Sequence, residues 1–174
     1  MKRTMTILTL LLTGATLPAV AQQQSAPDSV PVMQEREQDG PRMGFTYVSG
    51  PKAEAKLQEY HLTPLMSVFG WHFEQLVRPQ TGGPSFVIQE VFLVAGVDQG
   101  TAIPSGSLLL GIRFPHGFEF GMGPNITPLG PAMAVGIGKS LRYGGVTIPI
   151  NLAIVRSDGA LRTSILVGYA IRRS

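Results

Sequence analysis

Residues 105–124 read SGSLLLGIRFPHGFEFGMGP, and the pattern of this stretch decides the fold. Leu108, Leu110, Ile112 and Phe114, then Phe118, Phe120 and Met122, fall on one face. Ser107, Leu109, Gly111 and Arg113, then Glu119, Gly121 and Gly123, fall on the other. Alternation with period two is the mark of a strand. Pro115-His116-Gly117 separates the two halves, a three-residue loop whose last position suits a left-handed glycine. The stretch is therefore a β-hairpin. Its loop sets Phe114 opposite Phe118, Ile112 opposite Phe120 and Leu110 opposite Met122, with Arg113 facing Glu119 on the second face.

Outward from this hairpin the chain continues in the same idiom. Met133, Val135, Ile137 and Leu141 alternate with small residues. Gly144-Gly145 and Asp158-Gly159 are two-residue turns. Together they predict Leu141 opposite Ile148, Ile137 opposite Leu152, then Leu152 opposite Ile165 and Ile150 opposite Val167. All three turns keep one continuous apolar face, which a slip of one residue would break. Upstream, Leu65, Phe69, Trp71, Phe73 and Val77 share a face opposed by Gly70, His72, Glu74 and Arg78. Ser85–Val97 is apolar on both faces, interrupted by Gln89 and Glu90, so its orientation is open. Asn125–Pro131 reads as a Pro-rich loop. A further strand, Arg42–Val48, alternates Met43, Phe45 and Tyr47 with Gly44, Thr46 and Val48. Pro51–His61 changes period: Ala53, Leu57 and Tyr60 line one helical face, and Pro51 suits a first turn. The expected fold is all-β, an antiparallel up-and-down meander of about eight strands closing into a small barrel. One short helix is expected near 51–61.

The chain has 174 residues and opens Met1-Lys2-Arg3. An apolar run, Ile7–Leu12, and Ala19-Val20-Ala21 follow, the layout of a signal peptide cleaved before Gln22. That run falls short of the about 20 apolar residues a spanning helix needs. Residues 1–21 are thus expected to be a signal peptide, 22–41 a disordered linker and 42–174 the β domain. The linker is polar and punctuated by proline, and its Glu35-Arg36-Glu37 reads as solvated charge. No cysteine is present, so neither a disulfide framework nor a lipoprotein anchor is available. Net charge is +3, of which Lys2 and Arg3 supply two. No dense basic patch remains for nucleic acid.

The second face of the strands separates two architectures. A soluble surface is about 25–35% charged, whereas residues 62–174 carry 13 charged side chains among 113. Their second face is Gly111, Gly121, Gly123, Ala134, Gly136, Gly138, Ala153, Ser164, Gly168 and Ala170. Small residues suit the crowded interior of a narrow barrel whose apolar face meets lipid. Trp71, Tyr143 and Tyr169 are candidates for interfacial belts. A cysteine-free leader, a Gly-rich eight-strand meander and an aromatic-laced apolar face resemble the small outer-membrane β-barrel proteins of Gram-negative bacteria. The resemblance covers residues 42–174 and is one of pattern. It implies an outer-membrane location, the bilayer as partner, and a structural or narrow-pore role without catalysis.

Two other readings stand beside it. One is a soluble periplasmic or extracellular barrel that binds an apolar ligand or a protein, or assembles with copies of itself. The other is an envelope lipid-modifying enzyme using His72 and Glu74, neighbours on one strand face, as base and orienter. The sequence lacks Gly-x-Ser-x-Gly, and His61, His72 and His116 show no ligand spacing, so neither a serine nucleophile nor a metal or cofactor is called for. Asn125-Ile126-Thr127 matches a glycosylation sequon formally. The side chains expected to share the lumen as a polar network are Arg113, Glu119, His72, Glu74 and Asn151.

Overall fold

The computed structural model describes residues 34–78, 83–143 and 146–172. Eight long strands run β1 (Gln34–Ser49), β2 (Leu65–Arg78), β3 (Ser85–Ala95), β4 (Ile103–Arg113), β5 (Phe118–Thr127), β6 (Gly130–Tyr143), β7 (Val146–Ser157) and β8 (Ala160–Gly168). Each pairs antiparallel with its successor, and β1 pairs with both β2 and β8, which closes the barrel. Ile171–Arg172 continues the line of β8 against β1 after a break at Tyr169.

One row of paired residues shows how the sheet closes. It runs Glu35, Val77, Phe86, Ile112, Phe120, Ile137, Leu152, Ile165 and then Phe45. A full circuit therefore returns to β1 ten residues further along. This stagger belongs to a narrow eight-stranded barrel with strands tilted about 35–45°. The pairings expected from the three turns are present, among them Arg113 with Glu119, Leu141 with Ile148 and Leu152 with Ile165. Gly117 takes φ 86°, the left-handed value its loop requires.

The faces are inverted relative to a soluble barrel. Phe45, Phe69, Phe92, Leu110, Phe120, Ile150 and Ile165 point outward and are exposed. Arg42, Thr46, His72, Glu74, Arg113, Glu119 and Asn125 point inward and are buried. This is the surface of a transmembrane β-barrel, apolar outside and polar within. The orientation of β3, open from sequence, is settled by its neighbours: Val87, Gln89 and Val91 face in, and Ile88, Glu90 and Phe92 face out. Glu90 is thus an acidic side chain on the apolar surface, sixth of the eleven residues of its strand, and its carboxylate has no polar partner among the described residues.

The two ends differ. Connections 50–64, 96–102, 128–129 and 158–159 form the helix end. The loop around Pro115-His116-Gly117 belongs to the opposite, turn end. At the helix end α1 (Pro51–Glu59) starts on Pro51 and buries Ala53 and Leu57 against Val48 and Met66. The Lys52 amide donates to the Gly159 carbonyl at 3.0 Å, and the Lys52 ammonium pairs with Asp158. Val97–Gln99 adds one 3-10 turn, held by the Ser67 amide and hydroxyl donating to Asp98 Oδ1 at 3.0 and 2.6 Å. These bonds hold the Asp98 carboxyl below its usual range.

Three expectations are amended. β1 begins at Gln34, so residues 34–41 of the segment read as linker belong to the sheet: β2 supplies partners that a local polar reading does not see. The signal peptide and the rest of the linker lie outside the described residues. The Asn125–Pro131 loop shrinks to Pro128-Leu129, because β5 and β6 run through the flanking prolines. Trp71 is seventh of the fourteen residues of β2, too central for an interfacial belt, and its ring packs on Phe73 at 6.4 Å. Tyr143, the last residue of β6, does sit at an end, as do Phe114, His116 and Phe118, whose rings cluster at 5.7–6.5 Å.

Spin labels at Phe120 and Ile150, in the protein reconstituted in lipid, should be quenched more by oxygen than by a polar nickel reagent. The reverse preference at both sites would reject the lipid-facing assignment. Glu90→Leu should stabilise the lipid-embedded barrel by about 1–2 kcal/mol, as expected for removing a carboxylate from an apolar belt. Chemical unfolding in liposomes checks this, and a less stable variant would mean that a partner holds Glu90.

Candidate functional site

The polar interior is built by period-two alternation, which sends every second residue of every strand into the lumen. Toward the turn end, the last residue of β4, Arg113, lies between two carboxylates. Its Nη1 and Nη2 donate to the two oxygens of Glu74, the second at 2.5 Å. Its Nε and Nη2 donate to Glu119 Oε2, the first at 2.8 Å. Glu119 Oε1 accepts in turn from Asn151 Nδ2 at 2.5 Å. Arg113, Glu74 and Glu119 are 5%, 2% and 3% exposed, so water screens none of them. The chain of bonds runs from β2 through β4 and β5 to β7, across the barrel. Gly138 makes room for it: a Cβ there would lie 2.5 Å from Glu119 Oε1 and closer still to Asn151 Nδ2.

His72 stands apart from this group. Its Nδ1 is 2.8 Å from Arg42 Nη2. A guanidinium only donates, so Nδ1 accepts and the ring proton sits on Nε2. Neither Nε2 of His72 nor Nε of Arg42 finds a hydrogen-bond partner among the described residues. Arg42 Nη1 also donates to the carbonyls of Pro41 at 3.1 Å and Tyr169 at 3.4 Å. Of the five side chains expected in the lumen, four join in one network, and His72 is held separately by Arg42. His72 and Glu74 share a face, but each is engaged by a different arginine. They do not form a base and its orienter.

Nearer the helix end lies a third group that the sequence reading missed. Arg162 Nη2 donates to Ser105 Oγ at 2.9 Å and Asn125 Oδ1 at 3.1 Å. Asn125 Nδ2 bonds Ser107 Oγ at 2.7 Å, Ser105 Oγ at 3.0 Å and the Gly106 carbonyl at 3.1 Å. Asn125 is fully buried, so its sequon is closed to glycosylation in the folded barrel. Parity was the available signal. Arg42 alternates in step with Gly44 and Thr46, and Arg162 with Ser164 and Gly168. Asn125 is in step with Glu119, Gly121 and Gly123.

No family model and no curated protein matches the sequence. Among solved structures the fold is similar to a de novo designed transmembrane β-barrel, at 6% identity and TM-score 0.41, over 77% of this chain and 95% of that one. It is also similar to Ail, the attachment invasion locus protein of Yersinia pestis, solved with the heparin analogue sucrose octasulfate. That match has 12% identity and TM-score 0.46, over 80% of this chain and 100% of that one. Both are likenesses of fold alone.

Arg113→Met should be the most damaging single change in the network. It strands two buried carboxylates, and breaking a buried pair costs about 3–5 kcal/mol. Glu119→Gln leaves Arg113 on Glu74 and should cost less, about 1–3 kcal/mol. Adding Glu74→Gln and Glu119→Gln to Arg113→Met removes all three charges and should recover most of the loss. Denaturant unfolding in detergent reads the series. Single costs under about 1 kcal/mol, the value of exposed pairs, would mean that the lumen is wet.

Proposed function

We propose that the protein is a structural barrel of the outer membrane with a lumen closed by its own side chains, and that it acts without catalysis. One observation carries this reading: the Glu74–Arg113–Glu119–Asn151 chain of hydrogen bonds crosses the barrel from β2 to β7. A solute would have to break buried ion pairs to pass. Two carboxylates on one guanidinium lock three strands by charge-assisted, partly bidentate bonds. That arrangement serves rigidity better than transport. The lipid bilayer is the partner of the apolar outer face, and export uses the leader that ends at Ala21.

Three measurements test this. The protein should fractionate with the outer membrane, and its intact mass should place the N-terminus at Gln22. Purified and inserted into planar bilayers, it should leave conductance at the level of the bare membrane. Recovery in the soluble periplasmic fraction would reject the membrane assignment. A stable open level in the unmodified protein would reject the closed lumen and favour a narrow pore.

A further inference from the structure

The helix end of the lumen holds a cavity of about 250 Å³ between α1 and the Arg162 group. Its walls are apolar: Val48 and Met66 from the barrel, Leu57 and Leu62 from the β1–β2 connection, and Ile103 and Val155 opposite them. Exposed Tyr60, Ala102 and Leu129 form its rim. Two cations line it, Lys56 and Arg162, and no acidic side chain does. Lys56 is already paired, with Glu59 at 2.6 Å. Arg162 is different. Its partners are the neutral Ser105 and Asn125, and no carboxylate reaches it among the described residues. A half-buried guanidinium facing an apolar chamber is a ready binding site for an anion.

We propose that this cavity binds a single-chain alkyl carboxylate. The carboxylate sits on the Arg162 guanidinium, and the chain runs along Val155, Met66 and Leu57 toward the rim. Charge and shape both select this ligand. The one deep cation matches one compact anionic head, and the apolar walls match a flexible hydrocarbon chain. A cationic amphiphile would meet Arg162 head-on. A short carboxylate without a chain would leave the apolar walls unfilled.

The probe is decanoate carrying a photoreactive diazirine near its methyl end, added to the full chain in lipid nanodiscs and mapped by mass spectrometry. Labelling is expected on α1, β2 and β7 residues that line the cavity. Unlabelled decanoate should compete, and decyltrimethylammonium should not. Arg162→Gln should raise the half-maximal concentration about tenfold or more, the scale of a lost charge-assisted bond. Ala132→Phe, which fills the cavity from β6 and keeps the arginine, should abolish cavity labelling. Label confined to outward residues such as Phe45 or Ile150 would overturn the proposal, because it reports dissolution in lipid. Equal competition by the cationic amphiphile would overturn it as well. If Arg162→Gln fails to fold, Ala132→Phe decides alone, and unchanged cavity labelling in it rejects the site.

Discussion

A chain that crosses hydrocarbon must satisfy its backbone from within, because lipid offers no hydrogen bonds. Here everything rests on the pairing of β1 with β8, which turns an eight-strand meander into a surface without edges. The ten-residue stagger fixes how narrow that surface is. A narrow barrel leaves room inside for few side chains, and this explains why the inward face is so rich in glycine, alanine and serine. Closure also explains the inversion of the faces. Once the interior is too small for a hydrophobic core, the large apolar side chains can only go outside, where lipid receives them.

Closed sheets tolerate proline badly, since each strand has neighbours on both sides and proline brings no N–H. Five prolines nevertheless sit in long strands, Pro41, Pro104, Pro124, Pro131 and Pro149, and two of them, Pro41 and Pro124, are followed at once by an inward side chain that donates to a backbone carbonyl. Pro41 lies opposite the break at Tyr169, and Arg42 donates to the carbonyls of both Pro41 and Tyr169. Pro124 lies in a gap of the β4–β5 ladder, and Asn125 beside it donates to the Gly106 carbonyl in the paired stretch that follows. At Pro41 the side chain after the proline supplies a donor to the carbonyl opposite the ring. Part of the lumen's polarity therefore repairs the wall rather than serving a ligand, and Arg42 belongs to that part.

Most of the architecture is written in local sequence, for a physical reason. Two- and three-residue turns fix register, and register fixes which face each residue joins. The sequence signals at 105–124, 144–145 and 158–159 predict the course of five consecutive strands, and the pairings of those strands match. What local reading missed depended on distant partners. Asn125–Thr127 and Gly130-Pro131 look like loop until β5 and β6 are seen to pair through them. Gln34–Pro41 looks like linker until β2 lies beside it. The two faces of β3 are equally apolar, so only its neighbours orient it. Of the network, the pair Arg113 and Glu119 was legible because one turn sets them opposite. Glu74 joins them from β2, two strands away, and that distance follows from closure rather than from any spacing in the chain.

The interior divides along the barrel axis into two chemical regimes. Toward the turn end, charges outnumber the room for water, and each carboxylate of the network is held by Arg113, with Gly138 kept small to admit them. Toward the helix end, apolar residues line the lumen beneath α1, and the one deep cation there has only neutral partners. The first regime is self-complementary, so it braces the strands and asks nothing of a ligand. The second has no acidic side chain in its lining. A fold that needed only to be rigid could have placed glutamate beside Arg162, as it did beside Arg113. Neutral Ser105 and Asn125 in that position leave the guanidinium oriented and its charge uncompensated, and this difference marks the helix end as the part of the barrel shaped for something other than itself.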